Sequence, residues 1–179
     1  DERDELVELV EAVTDRVPMT LVEGNHDGGV AEAFADELDV IGAGGGVLGG
    51  PRPGTGPTVG ALHGHTWPIP ELLDADVICM GHEHPQVRLE DAVGGSRVER
   101  AWLRGTLDPA AFVGGDEDWS TRDTDPPELV VFPAFNERSG GTWVNVDGQS
   151  FLAPFLPAAL PASDAYLLDG TRLGAVRQG

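Results

Sequence analysis

Apolar residues recur at helical spacing over residues 1–16, where Leu6, Leu9, Val10 and Val13 share a face and Glu5, Glu8 and Glu11 lie on others. Pro18 follows, as prolines often do just past a helix end. The pattern predicts an amphipathic helix. Residues 19–22 form a short apolar run of strand length, ending in Gly24-Asn25-His26-Asp27-Gly28. A second helix is predicted over 30–38 and a short strand at Val40-Ile41. Residues 42–57, rich in glycine and proline, read as a mobile surface loop. Apolar strands are predicted over 58–62 and 76–80, with a helical turn over 69–73 between them. The first strand runs into His63-Gly64-His65, the second into Gly81-His82-Glu83-His84-Pro85. Beyond Pro85 the pattern turns β-like: 86–89, 97–103, 128–135 and 142–146 read as strands, with an acidic loop over 116–127. Helix–strand alternation followed by strands predicts a mixed α/β (α+β) fold, a β-sandwich-like core with helices on its outer faces.

Length changes this picture little: 179 residues suit a single domain, 1–179. Hydrophobic residues make up 40%, enough to bury a core. The longest apolar stretch, 151–162, is broken by Pro154, Pro157 and Pro161, whereas a membrane helix needs ~20 apolar residues. No membrane partner is expected, and a cytoplasmic location is. The single cysteine, Cys79, excludes an internal disulfide framework and a multi-cysteine zinc site.

Charge needs more care. The chain carries 31 acidic residues and 11 basic ones, all arginine, for a net charge of −20. Such a surface repels phosphate backbones at low salt. The acids are scattered from end to end, which favours adaptation to high salt over a dedicated acidic face. At molar ionic strength screening acts over ~3 Å, so like-charge repulsion becomes tolerable.

All five histidines fall in three short, glycine-flanked clusters: His26, then His63 and His65, then His82 and His84. Each follows a strand candidate, and ligands of layered α/β folds bind beyond the carboxyl ends of strands. Neutral imidazole suits divalent transition metals, and an amide oxygen such as that of Asn25 suits harder ions. Asp27 is placed to accept a hydrogen bond from a nearby imidazole. The grouping points to a metal site.

Gly24-Asn25-His26-Asp27, His63-Gly64-His65 and Gly81-His82-Glu83-His84, in that order, resemble the last three blocks of the calcineurin-like metallophosphoesterases. Residues 131–136 and 140–145 are similar to the tail of small archaeal phosphoesterases of that superfamily, relatives of recombination nucleases and of DNA-ligase-associated phosphoesterases. The resemblance implies a β-sandwich flanked by helices, with two divalent metals at one edge, Mn2+ foremost and Mg2+, Zn2+, Fe2+ or Ni2+ as alternatives. It implies that Asn25, His63 and His82 bind one metal and His84 the other. His26 would act at the scissile phosphate as general acid or charge stabiliser, and Asp27 would orient it. His65 would face substrate or support the ligands. The implied activity is hydrolysis of a phosphoester by metal-activated hydroxide, as a phosphodiesterase or nuclease-like enzyme acting on a nucleic acid or nucleotide.

The family's two earlier blocks, Asp-x-His and Gly-Asp-x-x-Asp, are missing. No histidine has an aspartate two positions before it, and the only Gly-Asp pair, Gly115-Asp116, comes after the histidine blocks. The expectation is a domain that begins partway in, without its first strands and its bridging carboxylate. Such a chain should be weakly active or inactive alone. The alternative is a non-catalytic metal-binding scaffold or partner subunit. A mononuclear zinc hydrolase is less attractive, because the helical His-Glu-x-x-His signature is missing.

The remaining residues of chemical interest have plainer readings. Cys79 reads as a small core residue and Trp67 as packing, though a thiolate ligand and a base-stacking ring are their functional alternatives. Arg88, Arg97, Arg100 and Arg104 read as ion-pair partners of the many acids rather than as phosphate contacts. Trp102, Trp119 and Trp143 read as core or rim.

Overall fold

Helix α1 spans Glu2–Thr14 and buries Val10, which is only 2% exposed. Val10 joins Phe34 and Leu38 in a small apolar cluster, with Leu6, Val7, Met19, Leu21 and Val30 packed around it. Leu9, expected on the same face, is exposed. The layer beneath α1 is narrow: the three-residue parallel strands β1 (Thr20–Val22) and β2 (Asp39–Ile41) and one turn of helix, α2 (Val30–Ala33). The structure is a computed structural model that describes residues 2–48, 56–112 and 125–177.

The second helix is shorter than the 30–38 expected. Phe34 leaves the helical region at φ −122°, and the chain continues as turns to Leu38. Phe34 and Leu38 are nevertheless both buried in one cluster, so the apolar spacing serves the core although the backbone takes looser turns.

The main sheet has eight strands. Its path runs through residues 172–177, 162–167, 96–106, 128–131, 77–80, 59–62 and 46–48, with 86–90 paired to 96–106 outside that path. The strands are β3 (Gly46–Leu48), β4 (Val59–Leu62), β5 (Val77–Met80), β6 (Gln86–Glu90), β7 (Ser96–Thr106), β8 (Glu128–Val131), β9 (Ala162–Leu167) and β10 (Arg172–Arg177). Two-residue periodicity is clearest in β5, where Ile78 and Met80 are buried while Val77 and Cys79 on the other face are half-buried. Leu62, Leu103, Leu129 and Val131 pack with them into the main core.

Several expectations need correction. Residues 42–57 are not wholly loop: 46–48 pair antiparallel with β4 as β3. The strand expected over 128–135 stops at Val131. Residues 142–146 form no strand; they make one β-bridge to β6, Gln86 to Trp143, and then turn, with the Asn145 side chain bonded to the Arg88 backbone. Strands β9 and β10 were not anticipated, because Ser163, Asp164, Gly170 and Gly174 break the apolar alternation there. The acidic loop expected over 116–127 lies outside the described residues as far as 124, and Gly115, Asp116 and Trp119 lie outside them too.

The parallel run β4-β5-β8 positions the site. Leu62 pairs with Met80, and Met80 with Val131, so the three strands end level at one edge. Asp76 sets the register at the opposite end: its Oδ2 accepts from the Thr58 N–H at 2.6 Å and from the Thr58 hydroxyl at 2.8 Å. The protein is thus mixed α/β, mostly sheet with a few helices. Among the described residues no helix is long and apolar enough to cross a membrane.

Candidate metal centre

His63 is the first residue past β4, and His82 is two residues past β5. Because the two strands are parallel and end level, the imidazoles meet, with ring centroids 4.9 Å apart. His65 stands edge-on to His63 at 5.2 Å and lies 6.0 Å from His82. Asn25 comes from the other sheet, just beyond β1, and its Oδ1 lies 3.0 Å from His63 Nε2. Gly24 makes that approach possible: a Cβ there would stand 3.1 Å from the His63 ring and 2.8 Å from Asp27 Oδ2.

His63 Nε2 is also 3.2 Å from His82 Nδ1. One ring nitrogen therefore faces both an amide oxygen and a second ring nitrogen. If Nε2 carries a proton, it can donate toward both neighbours but serves neither fully. If it does not, it faces the Asn25 oxygen with lone pair against lone pair. Ligands at ~2.1 Å from a common ion lie about 3 Å apart when adjacent. Both separations fit that spacing.

Burial drives the pKa of His63 down, and repulsion from His65, His84 and His26 adds to it, while the Asp27 carboxylate pulls it up. Burial likewise pushes His82 down, to about 4, followed by repulsion from His63, His65, His84 and His26. All five rings thus share one electrostatic neighbourhood. At neutral pH both His63 and His82 are neutral, the form in which imidazole binds a cation. His65 Nδ1 is buried without a hydrogen-bond partner among the described residues.

The outer members are arranged differently. Asp27 has no hydrogen bond to His26 among the described residues: its Oδ2 accepts the Gly24 N–H at 2.8 Å and closes the turn that carries Asn25. His26 is exposed and has no hydrogen bond to another of the described residues. His84 Nδ1 lies 3.2 Å from the carbonyl oxygen of Gly140 and donates to it, so Nε2 is the ring nitrogen left to face a cation. Cys79 is a thiol, its pKa raised by burial. Among the described residues no three His, Cys, Asp or Glu side chains are grouped to hold one ion. The convergent donors are two imidazoles and an amide, without a carboxylate.

Glu83 was missed in the sequence. It is fully buried and bonds to Thr142, Leu152 and Ala153. Nothing local marks it, since its partners lie 59 to 70 residues away. The plainer readings fare well. Arg88, Arg97, Arg100 and Arg104 pair with Glu90, Glu99, Glu137 and Glu128. Trp67, though 52% exposed, packs against Phe112 and Phe155, and Trp102 packs edge-on against Phe132. Trp143 donates its indole N–H to Gln86 Oε1. A cavity of about 500 Å³ elsewhere, bounded by Val87, Leu89, Ala165 and Val176, has no ionisable side chain among the described residues of its lining.

Fold and site together define a mixed α/β protein with a cluster of imidazoles and one amide at the carboxyl edge of parallel strands. Comparison with protein-family models, with curated proteins and with solved structures gave no match.

Proposed function

We propose that the protein is a divalent-metal-dependent phosphoesterase domain of the calcineurin-like type, with Asn25, His63 and His82 as ligands of one cation. One observation carries the reading: Asn25 Oδ1 and His82 Nδ1 approach the same nitrogen, His63 Nε2, at 3.0 and 3.2 Å. When bound, a divalent cation supplies Lewis-acid stabilisation of charge on phosphoryl oxygens.

The chain's own residues set up the rest. Burial keeps His63 and His82 unprotonated, so their lone pairs are available at neutral pH. His26 is exposed beside Asn25, and no hydrogen bond to another described residue ties up its ring, so it would be available to deliver a proton to a leaving oxygen. His84 presents Nε2 as the donor for a second cation, because Gly140 holds its other nitrogen. The substrate class that fits is a phosphodiester, of a nucleotide or nucleic acid. The convergent donors include no carboxylate, so a second cation would need one from elsewhere, and weak turnover is the expectation for residues 1–179 by themselves.

A second reading is a metal-binding scaffold or partner subunit without catalysis, to which the two-imidazole, one-amide donor set is equally suited. Calorimetric titration with Mn2+ and an aryl phosphodiester assay separate the two. The proposal expects Mn2+ binding that falls at least tenfold in His63→Ala and His82→Ala. Binding without turnover, even after the earlier blocks are supplied in a longer chain, selects the scaffold. Binding unchanged in both variants removes the site.

A further inference from the structure

The His82–His84 turn holds the only non-glycine residues with positive φ among those described, His82 at 61° and His84 at 47°. Side chains other than glycine resist this region, and such backbone persists only where its surroundings over-determine it. The surroundings here are specific. Glu83, between the two histidines, is fully buried. Its Oε1 accepts the N–H groups of Leu152 and Ala153 at 2.6 and 2.5 Å. Its Oε2 bonds the Thr142 hydroxyl at 2.8 Å. The Glu83 carbonyl accepts the Thr142 N–H at 3.2 Å, and the Glu83 N–H donates to Gly81 O at 2.7 Å.

Gly140 and Gly141 complete the clasp. The Gly140 carbonyl accepts from His84, and Gly141 lies so close that a Cβ would fall 1.8 Å from the His84 carbonyl oxygen. A carboxyl in an apolar interior is costly unless its oxygens are occupied. This one has three partners, all from residues 142–153, and an apolar side chain could satisfy none of them. The pattern is that of a group retained to hold the backbone on either side of it.

We infer that Glu83 is a positioning residue for the cation site: through Thr142, Leu152 and Ala153 it holds His82 and His84 in the left-handed turn that brings the His82 imidazole onto His63. The consequence for cation affinity rests on the function proposed above; the ring geometry does not. The role is hydrogen-bond acceptance, so Glu83→Gln, whose Oε1 can take the same two N–H groups and whose amide can donate to Thr142, should preserve it.

The experiment compares the full chain with Glu83→Ala, Glu83→Gln and Thr142→Val. Fold is followed by circular dichroism, and the metal-free ring geometry by the nuclear Overhauser contact between the His63 and His82 rings. Affinity is measured for Mn2+ alone. Folded Glu83→Ala is expected to lose the ring contact and at least tenfold in affinity. Thr142→Val is expected to lose two- to fivefold, and Glu83→Gln to stay within twofold. A folded Glu83→Ala with the ring contact and affinity intact overturns the inference, as does a folded Glu83→Gln that behaves like a lesion. If Glu83→Ala does not fold, Thr142→Val decides: an unchanged ring contact and affinity overturn the inference, and a weakened contact supports it. If the unaltered chain binds no Mn2+, the proposed function fails, and the ring contact alone decides the role of Glu83.

Discussion

The His82 imidazole is held at a pKa of about 4, below the usual 6.5, by burial first and then by the neighbouring histidines. The sign of its effect on stability follows. The unfolded chain takes up a proton on this histidine as pH falls through 6.5, and the folded protein does so only near 4. The folded state is therefore favoured in full above 6.5 and loses this contribution between 6.5 and 4. Partial solvent exposure screens the interaction, so the loss attributable to His82 is about 1 kcal/mol. Urea unfolding of metal-free protein at pH 7.5 and 5.0 should show a larger drop for the unaltered chain than for His82→Gln. Parallel behaviour of the two chains removes the assignment. Residue types and order made the ligand candidates legible, because imidazoles confined to strand-end clusters are a local pattern. Asp27 shows the limit: its side chain chose the nearby Gly24 N–H over His26, and competition between two short-range partners is decided by turn geometry.

At the scale of elements, strands with strong apolar character were recognisable: 58–62, 76–80, 86–89 and 97–103 all correspond to β4 to β7 within a few residues. Short or polar strands were not. β3 is three residues in a glycine-rich segment and is strand only because β4 supplies its partner. Conversely, 142–146 has β-forming residues but is claimed by Glu83 and Gln86 instead of a ladder. The 140–153 segment acts as a buttress for the His82–His84 turn, and its tightest point is Gly141. Gly141→Ala should destabilise the protein by about 2 kcal/mol through overpacking against the His84 carbonyl. Thermal melting measures this, and an unchanged midpoint would show that the segment can step away from the turn at no cost.

Over the whole molecule the net charge of −20 opposes compaction at low salt. The bidentate Arg104–Glu128 pair and the Arg172–Asp164 pair offset it only locally, since solvent and salt screen exposed ion pairs. The melting temperature should therefore rise as NaCl goes from 0.1 to 2 M, with most of the gain complete once screening falls to ~3 Å near 1 M. A flat or falling curve would speak against salt adaptation. The sequence by itself determined the layered α/β character, the strand-end location of the imidazoles and the charge balance, because each is set by neighbours along the chain or by a simple sum. Tertiary structure alone decided that Asn25 reaches His63 from a different sheet, that β4 and β5 end level, and that Glu83 is buried beneath the turn. Those outcomes depend on pairing and packing between segments distant in sequence, where the free energy of a contact belongs to both partners and neither segment reveals it alone.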